Sequence, residues 1–184
     1  MNASEPHTWA LRCHAATPAS AVAAVGVGLA RGSDHWRLDY RIVGDTERIV
    51  LPSSTQAGFS EDLWQRTCAE AFVAGADGAY REFNFSPDGR WAIFDFAGAR
   101  RRVAALPAPP RPPAIVCRRE GASLRLTVDL RAELLPSGRS RRAGFCAVIE
   151  EQGGRFSYWA LHHAAGRPDF HAAHTFTARV PDDD

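Results

Sequence analysis

His35-Trp36-Arg37-Leu38-Asp39-Tyr40-Arg41-Ile42 is the stretch on which the fold turns. Its apolar residues, Trp36, Leu38, Tyr40 and Ile42, fall at every second position, and His35, Arg37, Asp39 and Arg41 occupy the places between. Successive side chains of an extended chain point to opposite sides. The stretch therefore predicts a strand of an antiparallel sheet with one buried and one wet face. Residues 123–130 repeat the pattern, with Leu124, Leu126, Val128 and Leu130 inward and Ser123, Arg125, Thr127 and Asp129 outward.

Working outward, further strands are predicted at 8–14, 21–30, 47–51, 67–74, 80–86, 90–96, 114–119, 145–151, 156–162 and 175–180. Turn-forming residues separate many of them, as in Gly32-Ser33-Asp34, Pro87-Asp88-Gly89 and Gly153-Gly154. Short strands punctuated in this way predict an all-β, two-sheet antiparallel sandwich. No segment sustains helical periodicity, and residues 61–66 suffice for a single turn. The length of 184 residues fits one domain spanning 1–184. The stretch Leu-Pro-Ala-Pro-Pro-Arg-Pro-Pro at 106–113 is a polyproline-like connector inside it.

Composition narrows the function. A net charge of +1 gives no basic excess with which to release counterions from nucleic acid. All 22 basic residues are arginines, so Schiff-base and lysine-base chemistry is absent. The four cysteines, Cys13, Cys68, Cys117 and Cys146, have no metal-like spacing and read as reduced core residues. The apolar run at 19–30 lacks a preceding basic segment and is too short to span a bilayer. The expectation is a cytoplasmic protein without membrane or nucleic-acid partners. There is no G-x-S-x-G elbow, P-loop or H-E-x-x-H motif, and no catalytic residue is assigned.

Three blocks carry a family resemblance: D-L-W-Q-R-T-C-A-E-A-F at 62–72, Y-R-E-F-N-F-S-P-D-G-R-W-A-I-F-D-F at 80–96, and Y-W-A-L-H-H-A-A-G-R-P-D-F-H at 158–171. In this order they resemble the bacterial DOMON-like proteins, relatives of the family 9 carbohydrate-binding modules, over residues 9–180. The resemblance implies a β-sandwich whose concave face or rim holds a ligand, a sugar or a haem in better understood relatives. Ala69 departs from it, standing where the family usually has an aromatic, and His163-Ala164-Ala165 lacks the family's proline. Met/His haem ligation needs an internal methionine, and the single Met is Met1.

Three constellations are candidate sites. The hairpin joining 67–74 to 80–86 places Glu70 opposite or diagonal to Glu82 and Asn84. Such a cluster accepts hydrogen bonds from sugar hydroxyls, holds a cation or acts as an acid/base pair, or else is a buried carboxylate tied to an arginine such as Arg66 or Arg81. Among five tryptophans, Trp64 and Trp159 are candidates for stacking on a sugar ring, while Trp36 and Trp91 alternate inward. His162, Asp169, His171 and His174 are a candidate divalent-metal set, with a structural role as the alternative. The leading expectation is a non-enzymatic domain for a sugar-like ligand, with Trp64, Arg66, Glu70, Glu82, Asn84 and Trp159 at its site. The alternatives are a metal-binding protein or metal-dependent enzyme using the histidines, and a protein-interaction domain using a sheet edge or the Pro-rich connector.

Overall fold

The computed structural model describes residues 6–75, 78–136 and 141–180. Among them thirteen strands form a curled, almost wholly antiparallel structure that closes into a sandwich. Sheet A runs β1 (His7–Cys13), β2 (Val22–Arg31), β3 (His35–Gly44), β10 (Ser123–Arg131), β9 (Ala114–Glu120). Sheet B runs β4 (Gly58–Phe59), β7 (Arg90–Phe96), β6 (Tyr80–Phe85), β5 (Cys68–Ala74), β11 (Arg141–Glu151), β12 (Arg155–Ala160). β8 (Arg102–Ala105) also pairs with β7, and β13 (Ala178–Val180) with β11. Strand β1 links the layers, pairing with β2 over His7–Leu11 and then with β12 through Arg12 and Cys13. Among the described residues the one parallel pair is β4 with β7.

Strand β3 is the stretch whose alternation decides the fold. Trp36, Leu38, Tyr40 and Ile42 enter the core between the sheets, beside Leu124, Leu126, Val128 and Leu130 of β10. Sheet B contributes Ala71, Val73, Phe83, Phe85, Ile93, Phe145 and Ile149 from the opposite side. A polar bond crosses this core: the buried Tyr40 hydroxyl donates to the Glu70 backbone oxygen at 2.7 Å, tying β5 to sheet A. The Pro-rich connector carries the chain from β8 in sheet B to β9 in sheet A.

One local expectation is corrected, and two short strands were not foreseen. Residues 47–51 are not a strand; Thr46–Arg48 forms a 3-10 turn, and Ile49 makes an isolated bridge to Glu151. The short β4 and β8 were not legible, because neither shows alternation; all four residues of β8 are exposed. The tip of the β5–β6 hairpin at Ala76 and Asp77 lies outside the described residues. All four cysteines are free, with Cys68 and Cys146 buried. No helix among the described residues is long and apolar enough to cross a membrane.

Candidate ligand-binding site

Sheet B is covered on both faces. Its second face gathers a separate core of Cys68, Phe72, Tyr80, Ala92, Phe94, Phe96, Cys146 and Val148, roofed by Leu63, Phe170 and Phe176. The roof comes from two connections: the loop before β5, and the segment between β12 and β13. Gly144 lets the second one dock. A Cβ there would stand 2.7 Å from the Phe176 ring, which stacks on Phe72 with ring centroids 5.5 Å apart.

Glu70, Glu82 and Asn84 project into this second core. Glu70 pairs with Asn84 and Glu82 with Phe72, so the two carboxylates lie diagonally on adjacent strands of one face. Glu70 is 3% exposed and Glu82 is 5% exposed, yet both line a cavity of about 680 Å³. Phe94, Phe96, Tyr158 and Phe170 wall it, and Trp64, Arg100, Arg102 and Arg167 also line it. Trp64, half exposed at 50%, sits on the 3-10 turn Leu63–Gln65, which buried Leu63 anchors.

A hydrogen-bonded chain organises the floor. Asn84 Nδ2 donates to Glu82 Oε1 at 2.7 Å, and Glu82 Oε2 lies 3.9 Å from His171 Nε2, too far for a hydrogen bond. His171 Nδ1 meets the Tyr80 hydroxyl at 2.8 Å, and that hydroxyl accepts the Arg100 backbone N–H at 3.1 Å. Which partner donates in the Tyr80–His171 bond follows the imidazole tautomer. Arg100 reaches this position with a positive φ of 58°, and its guanidinium donates to Asp169 at 2.9 Å. Asp169 in turn accepts the His171 backbone N–H at 3.0 Å, so one carboxylate holds the covering segment to the β7–β8 hairpin.

The electrostatics follow from burial. Desolvation, then the charge of Glu82, pushes the Glu70 carboxyl well above its usual range. Glu82 is also raised by burial, against lowering by the Asn84 hydrogen bond and by Arg102 and Arg100. Burial lowers His171 to about 4, which makes it neutral near pH 7. Glu70 Oε1 is buried without a hydrogen-bond partner among the described residues.

Of the expected site residues, the structure brings together Trp64, Glu70 and Glu82 at the cavity, with Asn84 buried behind Glu82. Arg66 is not in the lining; it forms a two-oxygen ion pair with Glu150 at 2.9 and 3.0 Å. Trp159 is also corrected. It pairs in register with Ala147, faces the inter-sheet core, and donates to Ser157 Oγ at 3.0 Å. Its neighbour Tyr158 takes the cavity side, and in Phe-Ser-Tyr-Trp both parities carry an aromatic, so alternation alone did not separate them.

The metal set does not assemble. His162 and His174 face one another with ring centroids 6.1 Å apart, while Asp169 and His171 are engaged with Arg100 and Tyr80. Among the described residues no group of three or more His, Cys, Asp or Glu side chains converges for a metal ion. Sequence reasoning missed Phe94, Phe96, Tyr158, Phe170 and the arginines of the lining. Parity with Glu82 would have found the first two, since Phe94 pairs with Glu82 and Phe96 with Tyr80.

The curled antiparallel β-sandwich is a fold shared with solved structures of distant sequence. A proposed carbohydrate-binding protein from Bacteroides uniformis superposes with a TM-score of 0.70 at 19% identity, over 94% of this chain and 84% of that one. A family 9 carbohydrate-binding module from Caldicellulosiruptor kristjanssonii, solved with cellotriose, superposes with a TM-score of 0.54 at 9% identity, over 85% of this chain and 74% of that one. These distant matches show the fold. No protein-family model and no curated protein sequence matches the chain.

Proposed function

We propose that this chain is a non-enzymatic binding module of the DOMON and family 9 carbohydrate-binding-module kind, and that its cavity holds a sugar or sugar derivative. The observation that carries this reading is the buried pair Glu70 and Glu82 lining an aromatic-walled cavity of about 680 Å³ with Trp64 at its margin. Sugars present apolar ring faces and polar hydroxyl edges together, and this lining offers aromatic surfaces and hydrogen-bonding groups in the same way. Binding without catalysis is supported by the placement of the carboxylates. Both rise from one floor, whereas glycosidases set two carboxyl groups on either side of the bond they cut.

The test is a thermal-shift and calorimetry series with mono- and oligosaccharides. A sugar at a hundred times its Kd adds about 2.7 kcal/mol, or roughly 5–10 °C for a chain of this size. Trp64→Ala is expected to cut the shift to about half, Glu82→Gln to lessen it without removing it for neutral sugars, and Trp159→Phe to retain it. The reading fails if no sugar moves the melting temperature, or if the shift is undiminished in both cavity variants.

A further inference from the structure

The two carboxylates at the cavity floor differ from the acidic residues around them. Glu150 is held by Arg66 at 2.9 Å, Asp169 by Arg100 at 2.9 Å, Asp95 by Arg81 at 2.7 Å and Asp88 by Arg90 at 2.8 Å. Among the described residues Glu70 and Glu82 make no such pair with an arginine, although arginine is abundant in the chain. The ionisable group against Glu82 is the neutral imidazole of His171, at 3.9 Å. Glu70 has one side-chain oxygen with no partner among the described residues.

We propose that the ligand of this cavity is an amino sugar whose protonated amine seats against Glu70 and Glu82. The inference rests on the sugar reading above and names the class of sugar. A buried carboxylate needs both hydrogen-bond donors and a compensating charge. A hydroxyl supplies a donor alone; an ammonium supplies three donors and the charge. No third protein ligand converges on the pair, so a metal ion has no completed shell there among the described residues. Phe94 and Phe96 also line the cavity, and an aromatic wall is compatible with a cation, although Phe96 is stacked on Tyr80 with centroids 4.8 Å apart. Phe94 already carries the Arg102 guanidinium at 4.7 Å from its centroid, so one face of that ring is taken.

The arginines limit the ligand to one positive charge. Arg102 lies 3.6 Å from Glu61, Arg100 is bound to Asp169, and both act on Glu82. Glu70 is affected by its burial and by Glu82, which makes it the deeper anchor for the amine. A chain of several amines would meet Arg100, Arg102 and Arg167 in the lining and be repelled.

The experiment is calorimetric titration of the intact protein near neutral pH, since acid would protonate the raised Glu70 and Glu82 carboxyls, with matched pairs: glucose and glucosamine, galactose and galactosamine, mannose and mannosamine. The N-acetyl derivative of each is included, with ethanolamine as an amine lacking the ring. In at least one pair the amino sugar is expected to bind about tenfold or more tighter than its neutral partner, equivalent to one charge-assisted hydrogen bond. N-acetylation is expected to remove that advantage. Glu70→Gln, checked for an unchanged fold by its melting curve, is expected to bring the two sugars level while neutral-sugar binding persists. Glu82→Gln gives a second, independent reading of the same effect.

Equal binding of neutral and amino forms in every pair overturns the amine and leaves the sugar reading standing. A preference that survives both substitutions also overturns it. Ethanolamine binding as tightly as any amino sugar overturns the sugar reading, since the ring would contribute nothing. Binding by none of these compounds overturns both.

Discussion

The outer faces of the two sheets obey one rule of alternation and have opposite fates. On sheet A the outward residues meet water: Arg37 lies 3.6 Å from both Asp39 and Asp129, and Thr127 donates to Asp39 at 2.6 Å. Polar side chains there keep their hydration and need no special partner. On sheet B the corresponding face lies beneath the covering segments, and a second apolar core grows on it. Glu70, Glu82 and Asn84 are buried exceptions on that face, and Glu150, also buried there, is paired with Arg66. A polar residue is uninformative on the first face and demands an explanation on the second, because burial removes the water that would satisfy it. The candidate site is the place where a covered face keeps its polar groups.

The largest effects should come from the surface the sheets share. Trp159→Ala removes a ring packed between them and is expected to cost about 3–5 kcal/mol in denaturant unfolding. Its effect is on stability, with ligand affinity of the folded protein retained. A loss of binding without a loss of stability would break the distinction between the two faces of sheet B, since Trp159 would then act as the cavity-facing aromatic.

The pH dependence of stability sharpens the contrast further. The Glu70 carboxyl is raised well above 4.5 in the folded protein, so the folded state holds its proton more tightly than the unfolded state does. Its contribution is fully present below pH 4.5 and is lost as the pH rises through the folded value. His171 runs the other way. Its folded value is lowered from 6.5 to about 4, so its contribution is present above 6.5 and lost as the pH falls toward 4. Glu70→Gln is expected to remove the alkaline loss, gaining on the natural protein as the pH rises. His171→Gln is expected to remove the acid loss. Urea midpoints measured from pH 4 to 8 check both, and parallel curves for either variant would contradict the burial of that group.

The same contrast explains what the sequence disclosed. Sheet A was legible from β3 and β10 because one wet face leaves alternating polar residues as a signature. Sheet B has two buried faces, and Ala-Glu-Ala-Phe-Val or Trp-Ala-Ile-Phe-Asp-Phe reads as nearly continuous apolar sequence in which parity is lost. Glu70, Glu82 and Asn84 stood out as polar interruptions of such runs, and Trp64 because it sits among polar neighbours. Trp159 and Tyr158 did not separate, because choosing between them requires the β11–β12 register, which pairs Trp159 with Ala147. The arginines of the lining were not legible either. Arg100 reaches the site through its backbone conformation and a partner at Asp169, 69 positions away.

Smaller effects follow at the margin of the cavity. Trp64→Ala should change unfolding stability by no more than about 0.5 kcal/mol, because half of the side chain is already in water. Its sugar affinity is nevertheless expected to fall by about tenfold, read by the titration used for the neutral sugars. A large stability loss instead would make Trp64 a packing residue of the second core and move the ligand elsewhere in the cavity.

The smallest effect tests the wet face itself. Arg125 lies directly between Arg41 and Arg118 in register, three guanidinium-bearing residues side by side across β3, β10 and β9. Like charges at directly opposed positions repel, and the Arg125–Glu120 pair at 3.3 Å is exposed on both sides and offsets little of this. Arg125→Thr is expected to raise stability by a few tenths of a kcal/mol at low salt, helped by a β-branched residue in a strand, with the gain shrinking as salt is added. On sheet B, an uncompensated pair of like groups is buried and its relief belongs to a ligand. On sheet A the same kind of repulsion is left to water and salt. If Arg125→Thr instead destabilised the protein by more than about 1 kcal/mol, the arginine row would be satisfying something on that surface, and the outer face of sheet A would no longer be merely wet.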